Sequence, residues 1–188
     1  MNTLLTLIEA IYPVSTALKQ SLVSLLSHAS LPKGSLLLSP DQISTKIYFV
    51  EKGLVRGYYL KDGKDITTGF MPETSFVISP VSFYRQQPSF EYLETLEESP
   101  LWSLSYQHLS HLYSQYPEFN YVGRVVTEQY YTRSELRAHH LRMQTADERY
   151  RAFLSEYPTL ANRVPNKHIA SFLGLTPETF SRIRAKRD

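Results

Sequence analysis

From Leu4 to Leu26 apolar residues recur at helical spacing, at Leu4, Ile8 and Ile11 and again at Leu18, Leu22 and Leu25. Pro13 interrupts the run, and Ser15 stands where it would cap a second helix. Two short helices are therefore predicted to lead the chain. The period then shortens. LPKGSLLLS, KIYFVEKG, LVRGYYL and, beyond the turn dipeptide Asp62-Gly63, KDITTGF read as strands, followed by FEYLETLE and LWSLS. Short strands punctuated by glycine predict a small antiparallel roll over residues 31–104. The Tyr and Phe residues concentrated there fit sheet packing better than a stacking platform for bases.

Helical character returns at Tyr106, and a long helix is predicted after Pro117. Phe119, Val122, Val126, Gln129, Arg133, Leu136, His140 and Met143 follow one another at spacings of three and four. Such a stripe either packs on the protein's own roll or forms a two-fold seam with a second copy. Its length favours the seam, in which polar Gln129, Arg133 and His140 would set register at a cost in stability. The expected organisation is a roll over 1–116, a dimerisation helix over 117–145 and a helical module over 146–188.

Within that module, NKHIASFLGLTPETFSRIRAK has the residue types that two helices joined by a tight turn require. Ala170 is small where the helices approach, and Gly174 suits the turn. Ile169, Leu173, Leu175, Phe180 and Ile183 supply the apolar contact. Thr176 and Pro177 fit the N-cap and first position of the second helix. The N-terminal part of that helix would present Thr176, Pro177, Glu178, Thr179, Ser181 and Arg182 to base edges, with Arg182 suited to guanine and Glu178 to cytosine N4. Lys167, His168, Arg184, Lys186 and Arg187 suit phosphates.

Charge sharpens this picture. The formal net charge is +2, yet Arg163–Asp188 holds six Lys/Arg against two Asp/Glu, about +4, which leaves the rest of the chain at about −2. Basic character is thus local, as expected for a confined contact with double-stranded DNA. The sequence has no cysteine, which excludes disulfides, thiolate nucleophiles and Cys-ligated metals. MNTLLTLIEAIY lacks a basic leader and no stretch approaches 18 apolar residues, so a cytoplasmic, soluble protein without a membrane partner is expected. No catalytic constellation, metal site or cofactor motif is evident. His108 with His111, His139 with His140, and Glu97-Glu98 lack the spacing and companions that metal binding or acid–base chemistry needs.

KGSLLL, IYFVEKGLVRGYYLKDGKD and, above all, ADERYRAFLSEYPTLANRVPNKHIASFLGLTPETFSRIR resemble the Crp/Fnr family of transcription regulators, over nearly the whole chain. The resemblance implies an α+β architecture: an antiparallel β-roll like a cyclic-nucleotide-binding domain, a long dimerising helix and a C-terminal helix-turn-helix. It also implies a homodimer on a pseudo-palindromic site, RNA polymerase and a small-molecule effector as further partners, and no enzyme activity. The sequence resembles a short, wingless form, because it stops directly after the recognition helix. Glu178 and Arg182 match positions that contact bases in relatives, whereas Pro177 replaces a common Arg.

Members that bind cyclic AMP carry a phosphate cassette of the type Phe-Gly-Glu followed by Arg-Ser/Thr-Ala. Aligned here, Ile78 takes the place of the Gly, Ser79 the Glu, Pro88 the Arg, Ser89 the Ser/Thr and Phe90 the Ala. Only Phe76 and Ser89 keep the pattern. Loss of the charged pair predicts no tight cyclic AMP binding, since a phosphate would be desolvated without counter-charge. A different ligand in the roll would meet Phe76, Ser79, Ser82, Arg85 and Ser89, with Arg85 the nearby cation.

Overall fold

The computed structural model of the 188-residue chain describes residues 1–186, which form two compact units. The first comprises residues 1–57 and 70–128; the second comprises 58–69 and the chain from 129 onward.

The first unit begins with α1 (Asn2–Ile11) and α2 (Thr16–Leu25). They bury Leu4 and Ile8, and Leu18 and Leu22, on their inner stripes, and Ser15 Oγ caps α2 by accepting from the Leu18 N–H at 3.2 Å. The roll follows as β1 (Ser27–Leu31), β2 (Leu36–Leu38), β3 (Lys46–Val50), β4 (Leu54–Lys61), β5 (Lys64–Pro72), β6 (Phe76–Val77), β7 (Tyr92–Thr95) and β8 (Ser99–Ser105), with the short helix α3 (Pro80–Arg85) between β6 and β7. The strands make two four-stranded sheets, ordered β1-β8-β3-β6 and β2-β7-β4-β5.

The two-residue alternation of a strand divides the core in two. In β3, Val50 joins Leu38, Val55, Val77, Leu93 and Leu101 in one buried cluster. Its neighbour Phe49 joins Leu4, Ile8, Leu22, Phe83 and Leu104 in the other, where the helices pack. The roll starts earlier than expected. β1 spans Ser27–Leu31 and pairs with β8 from Ser27↔Ser103 to Leu31↔Ser99, whereas Pro32 and Gly34 belong to the turn that follows. As an edge strand of polar residues exposed along most of its length, β1 shows no apolar alternation.

α4 (Tyr106–Gln115) and α5 (Pro117–Met143) complete the helical layer. Their approach favours a residue without a side chain on α5, since a Cβ on Gly123 would run into the Tyr113 ring and hydroxyl.

The second unit holds the tip of the β4–β5 hairpin, the end of α5, α6 (Ala146–Glu156), a 3₁₀ turn (Leu160–Asn162), α7 (Asn166–Phe172) and α8 (Pro177–Ala185). A capping box starts α6: Glu148 N–H donates to Thr145 Oγ1, and Thr145 N–H donates to the Glu148 carboxylate at 2.8 Å. Tyr150, Phe153, Leu160, Val164, Ile169 and Phe180 form its core, with the Tyr150 and Phe180 rings edge to face at 5.2 Å. The hairpin tip is tied to α7 through Ser171. Its Oγ accepts from the Thr67 N–H at 2.9 Å and donates to the Asp65 carbonyl at 3.0 Å. Among the described residues no helix is long and apolar enough to cross a membrane.

Candidate nucleic-acid interface

The turn between α7 and α8 is set by backbone conformation. Gly174 has φ +66°, its N–H donates to Ser171 O at 3.0 Å, and the Leu175 N–H returns to Ala170 O at 2.9 Å. A larger side chain is excluded at fully buried Ala170. Thr176 then caps α8 by accepting from the Thr179 N–H at 3.2 Å, and Pro177 occupies the first position, where no N–H is missed. Phe180 is buried, which fixes the rotation of α8 and turns Glu178, Ser181 and Arg182 outward on one exposed face.

Thr176 and Pro177 are exposed beside that face, and Thr179 is half-buried. The Arg182 Nε–H points along the helix to Glu178 O at 3.4 Å, leaving the end of the guanidinium outward. Backbone N–H and then the Thr176 hydroxyl hold the Glu178 carboxyl below its ordinary range, so it presents an acceptor.

The cations expected at phosphates divide. Lys167, at the start of α7, and Lys186, just past the end of α8, are exposed. Half-buried Arg184 donates from Nη1 to Asn166 Oδ1 at 2.8 Å, a link between the helices, and Asn166 carried no signal for this role beyond its place at the start of α7. His168 departs from expectation: only 8% exposed, it places Nδ1 4.0 Å from an Asp65 carboxylate oxygen, and its position beneath the surface of α7 takes it away from a phosphate. Arg187 lies outside the described residues.

In the roll, the residues aligned with the phosphate cassette make a closed internal network. Ser82 Oγ accepts from the Ser44 N–H at 2.8 Å and donates to Gln87 O at 2.6 Å. Ser89 Oγ contacts Ser79 Oγ at 3.4 Å and both the N–H and the carbonyl of Glu91 at 3.1 Å. Ser79, Ser82, Ser89 and Glu91 are all buried. Burial pushes the Glu91 carboxyl upward, and a hydrogen bond from Ser79 opposes the shift. An acid therefore occupies the neighbourhood in which a phosphate-binding cassette would offer an arginine. Glu91 lies on the inward phase of the alternation 89, 91, 93, 95, so its burial was readable from strand period. Phe76 packs on Phe49 with the rings tilted and their centres 5.5 Å apart, and Arg85 is exposed at the end of α3.

Residues 28–116 match the cyclic nucleotide-binding domain family. Among solved structures, FixK2 from Bradyrhizobium japonicum superposes with a TM-score of 0.72 at 23% identity, covering 86% of this chain and 83% of that one. The regulator CLP of Xanthomonas campestris gives 0.71 at 17%, covering 92% and 91%. A Eubacterium rectale protein described as a transcriptional regulator of the Crp/Fnr family gives 0.70 at 19%, covering 94% and 87%. No curated protein sequence matches the chain. The chain has the Crp/Fnr fold.

Within the Crp/Fnr fold α5 is the long helix, and the residues of the expected seam do not share one environment. Phe119 and Val122 are buried in the first unit's core, with Val126 packed against it, so these three are not available to a partner helix. Arg133 and His140 line a groove of the second unit. Gln129 and Leu136 are exposed, Leu136 at 52%. The exposed or half-exposed positions instead run Tyr121, Val125, Gln129, Thr132, Leu136, His139, Met143. The stripe read from sequence follows the buried side of α5 at its start because core packing and a seam obey the same spacing.

Proposed function

We propose that the chain is a DNA-binding transcription regulator that acts as a homodimer on a pseudo-palindromic duplex site and does not answer to cyclic AMP. The observation that carries this reading is the exposed face of α8, where a capped helix start presents Glu178, Ser181 and Arg182, with Lys167 and Lys186 also exposed at the ends of the same two helices. A recognition helix reads base edges with its first turns, and flanking cations hold it to phosphates. Thr176, Pro177 and Thr179 belong to the same edge. The site of action is the cytoplasm, with RNA polymerase as the partner through which binding acts on transcription.

Dimerisation is assigned to the exposed stripe of α5 from Tyr121 to Met143, whose spacings of four and three match a two-stranded seam. Two copies related by a two-fold axis would place their α8 helices in successive major grooves, about 34 Å apart. Insensitivity to cyclic AMP rests on the cassette: its hydroxyls already have partners, Pro88 stands where the arginine would be, and an acid, Glu91, is buried beside Ser79 and Ser89. The test is a mobility shift on the upstream region of the chain's own gene, with Arg182→Ala alongside. Preference over random duplex, lost in the variant, supports the proposal; equal binding to both duplexes contradicts it.

A second reading is a sensor of another small molecule in the roll. It is favoured by a cavity in the first unit lined by largely apolar residues that include Phe76, Tyr84, Trp102, Tyr113 and Val126, with Ser79, Ser82 and Ser89 not in the lining. An apolar ligand suits that lining better than an anion. Micromolar calorimetric binding of cyclic AMP or cyclic GMP would contradict both readings of the cassette.

A further inference from the structure

The second unit contains a groove bounded by the end of α5, by α6 and by α7. Leu141, Phe153 and Phe172 contribute apolar walls, and three arginines, Arg133, Arg137 and Arg149, line the same space. The Arg137 guanidinium lies 3.8 Å from the centre of the Phe172 ring and donates from Nη2 to Thr67 O at 3.2 Å. Burial draws its pKa down to about 10, against the raising influence of Tyr157, Tyr59 and Glu156. Arg149 donates from Nη1 to Gln144 O at 3.0 Å, while its Nε–H is buried without a partner. Among the described residues no carboxylate forms an ion pair with any of the three, and Glu156 is the one acid on the groove's lining.

Arg137 gives up hydration against the apolar wall, half-buried Arg149 and exposed Arg133 add two further cations to the same lining, and an oxyanion there would supply the opposite charge. A guanidinium fork holds carboxylate or phosphate through paired N–H donors, and the Arg149 Nε–H is a buried donor that has no partner within the fold. We infer that this groove binds a small amphipathic anion, a carboxylate or phosphate carried on a flat apolar body, held by Arg133, Arg137 and Arg149 against Leu141, Phe153 and Phe172. The ligand would touch both the long helix and the first helix of the helix-turn-helix, and so favour the arrangement of α5, α6 and α7 that forms its site. This site shares no residue with the serine network of the roll.

The experiment is calorimetry on the full chain with benzoate, phenyl phosphate, inorganic phosphate and neutral benzyl alcohol, together with ¹⁵N spectra of the arginine Nε–H groups. The expected result is saturable sub-millimolar binding of benzoate or phenyl phosphate, with shifts confined to Arg133, Arg137 and Arg149. Arg149→Gln should weaken binding about tenfold. So should Ala152→Glu, which adds a competing carboxylate to the groove wall, while the far-ultraviolet spectrum stays that of the parent. Should either variant fail to fold, the Nε–H shifts in the unaltered chain decide the matter. The inference is overturned if no anion saturates, if benzyl alcohol or inorganic phosphate binds as tightly as benzoate, or if both folded variants bind like the parent. Displacement of benzoate by random-sequence duplex would also overturn it, since the groove would then be a phosphate-backbone contact. None of these readouts uses sequence-specific DNA binding, so their failure leaves that reading standing.

Discussion

At the scale of single residues, a base contact and a phosphate contact have different signatures. Arg182→Ala removes a fork suited to guanine and should cost about 1–3 kcal/mol on the preferred site while relaxing specificity at one base pair. Lys167→Ala should weaken binding to all duplexes alike and reduce the log–log salt slope by about 1. Anisotropy titrations at several salt concentrations separate the two, and interchangeable effects would contradict the assignment. In the roll, Glu91 carries a different prediction. Burial raises its pKa above that of the unfolded chain, so the native state holds the more firmly bound proton. Stability attributable to Glu91 is therefore full below the ordinary carboxylate value and declines as pH rises through its raised value. Glu91→Gln should flatten this decline and raise the melting temperature at pH 7; thermal melts between pH 4 and 8 check it, and an unchanged slope counts against the buried acid.

At the scale of elements, α8 was legible because its signals are local. A capping threonine, a proline at the first position, a glycine before them and a buried phenylalanine each act within one turn of helix. Gly174→Ala tests the turn. It forces a side chain into φ +66° with its Cβ 3.3 Å from Leu141, and should destabilise the fold by about 1–2 kcal/mol, measured by urea unfolding. A neutral result would mean that the turn relaxes. Elements whose identity depends on distant partners were less legible. β1 is a polar edge strand, and only its pairing with β8 makes it a strand. His168 looked like a surface cation because its burial depends on Asp65, a hundred residues away on the hairpin. The Ser171 contacts to the same hairpin left no trace in local pattern for the same reason.

At the scale of the whole molecule, α5 changes its task along its length. Phe119 and Val122 belong to the core of the first unit, whereas the stretch from Thr127 to Leu136 is exposed throughout. The apolar members of the stripe within and beyond this run, Leu136 at 52% and Met143 at 72% exposed, are what a two-stranded seam would cover. Thr132→Glu puts a charge at the centre of that seam without touching the core or the arginine groove. It should weaken self-association at least about tenfold, because two copies meet like charge to like charge. Sedimentation velocity across a dilution series reads this, and an unaltered dimer would place the interface elsewhere.

The central claim, that two copies of α8 read a duplex with two-fold symmetry, is met most directly by selection of bound sites from a random DNA pool. The predicted outcome is an enriched inverted repeat whose half-site centres lie about 10 base pairs apart, with the enriched bases lost when Arg182→Ala replaces the parent. Recovery of unenriched sequence, or of a single unrepeated site that the variant selects equally well, would contradict it.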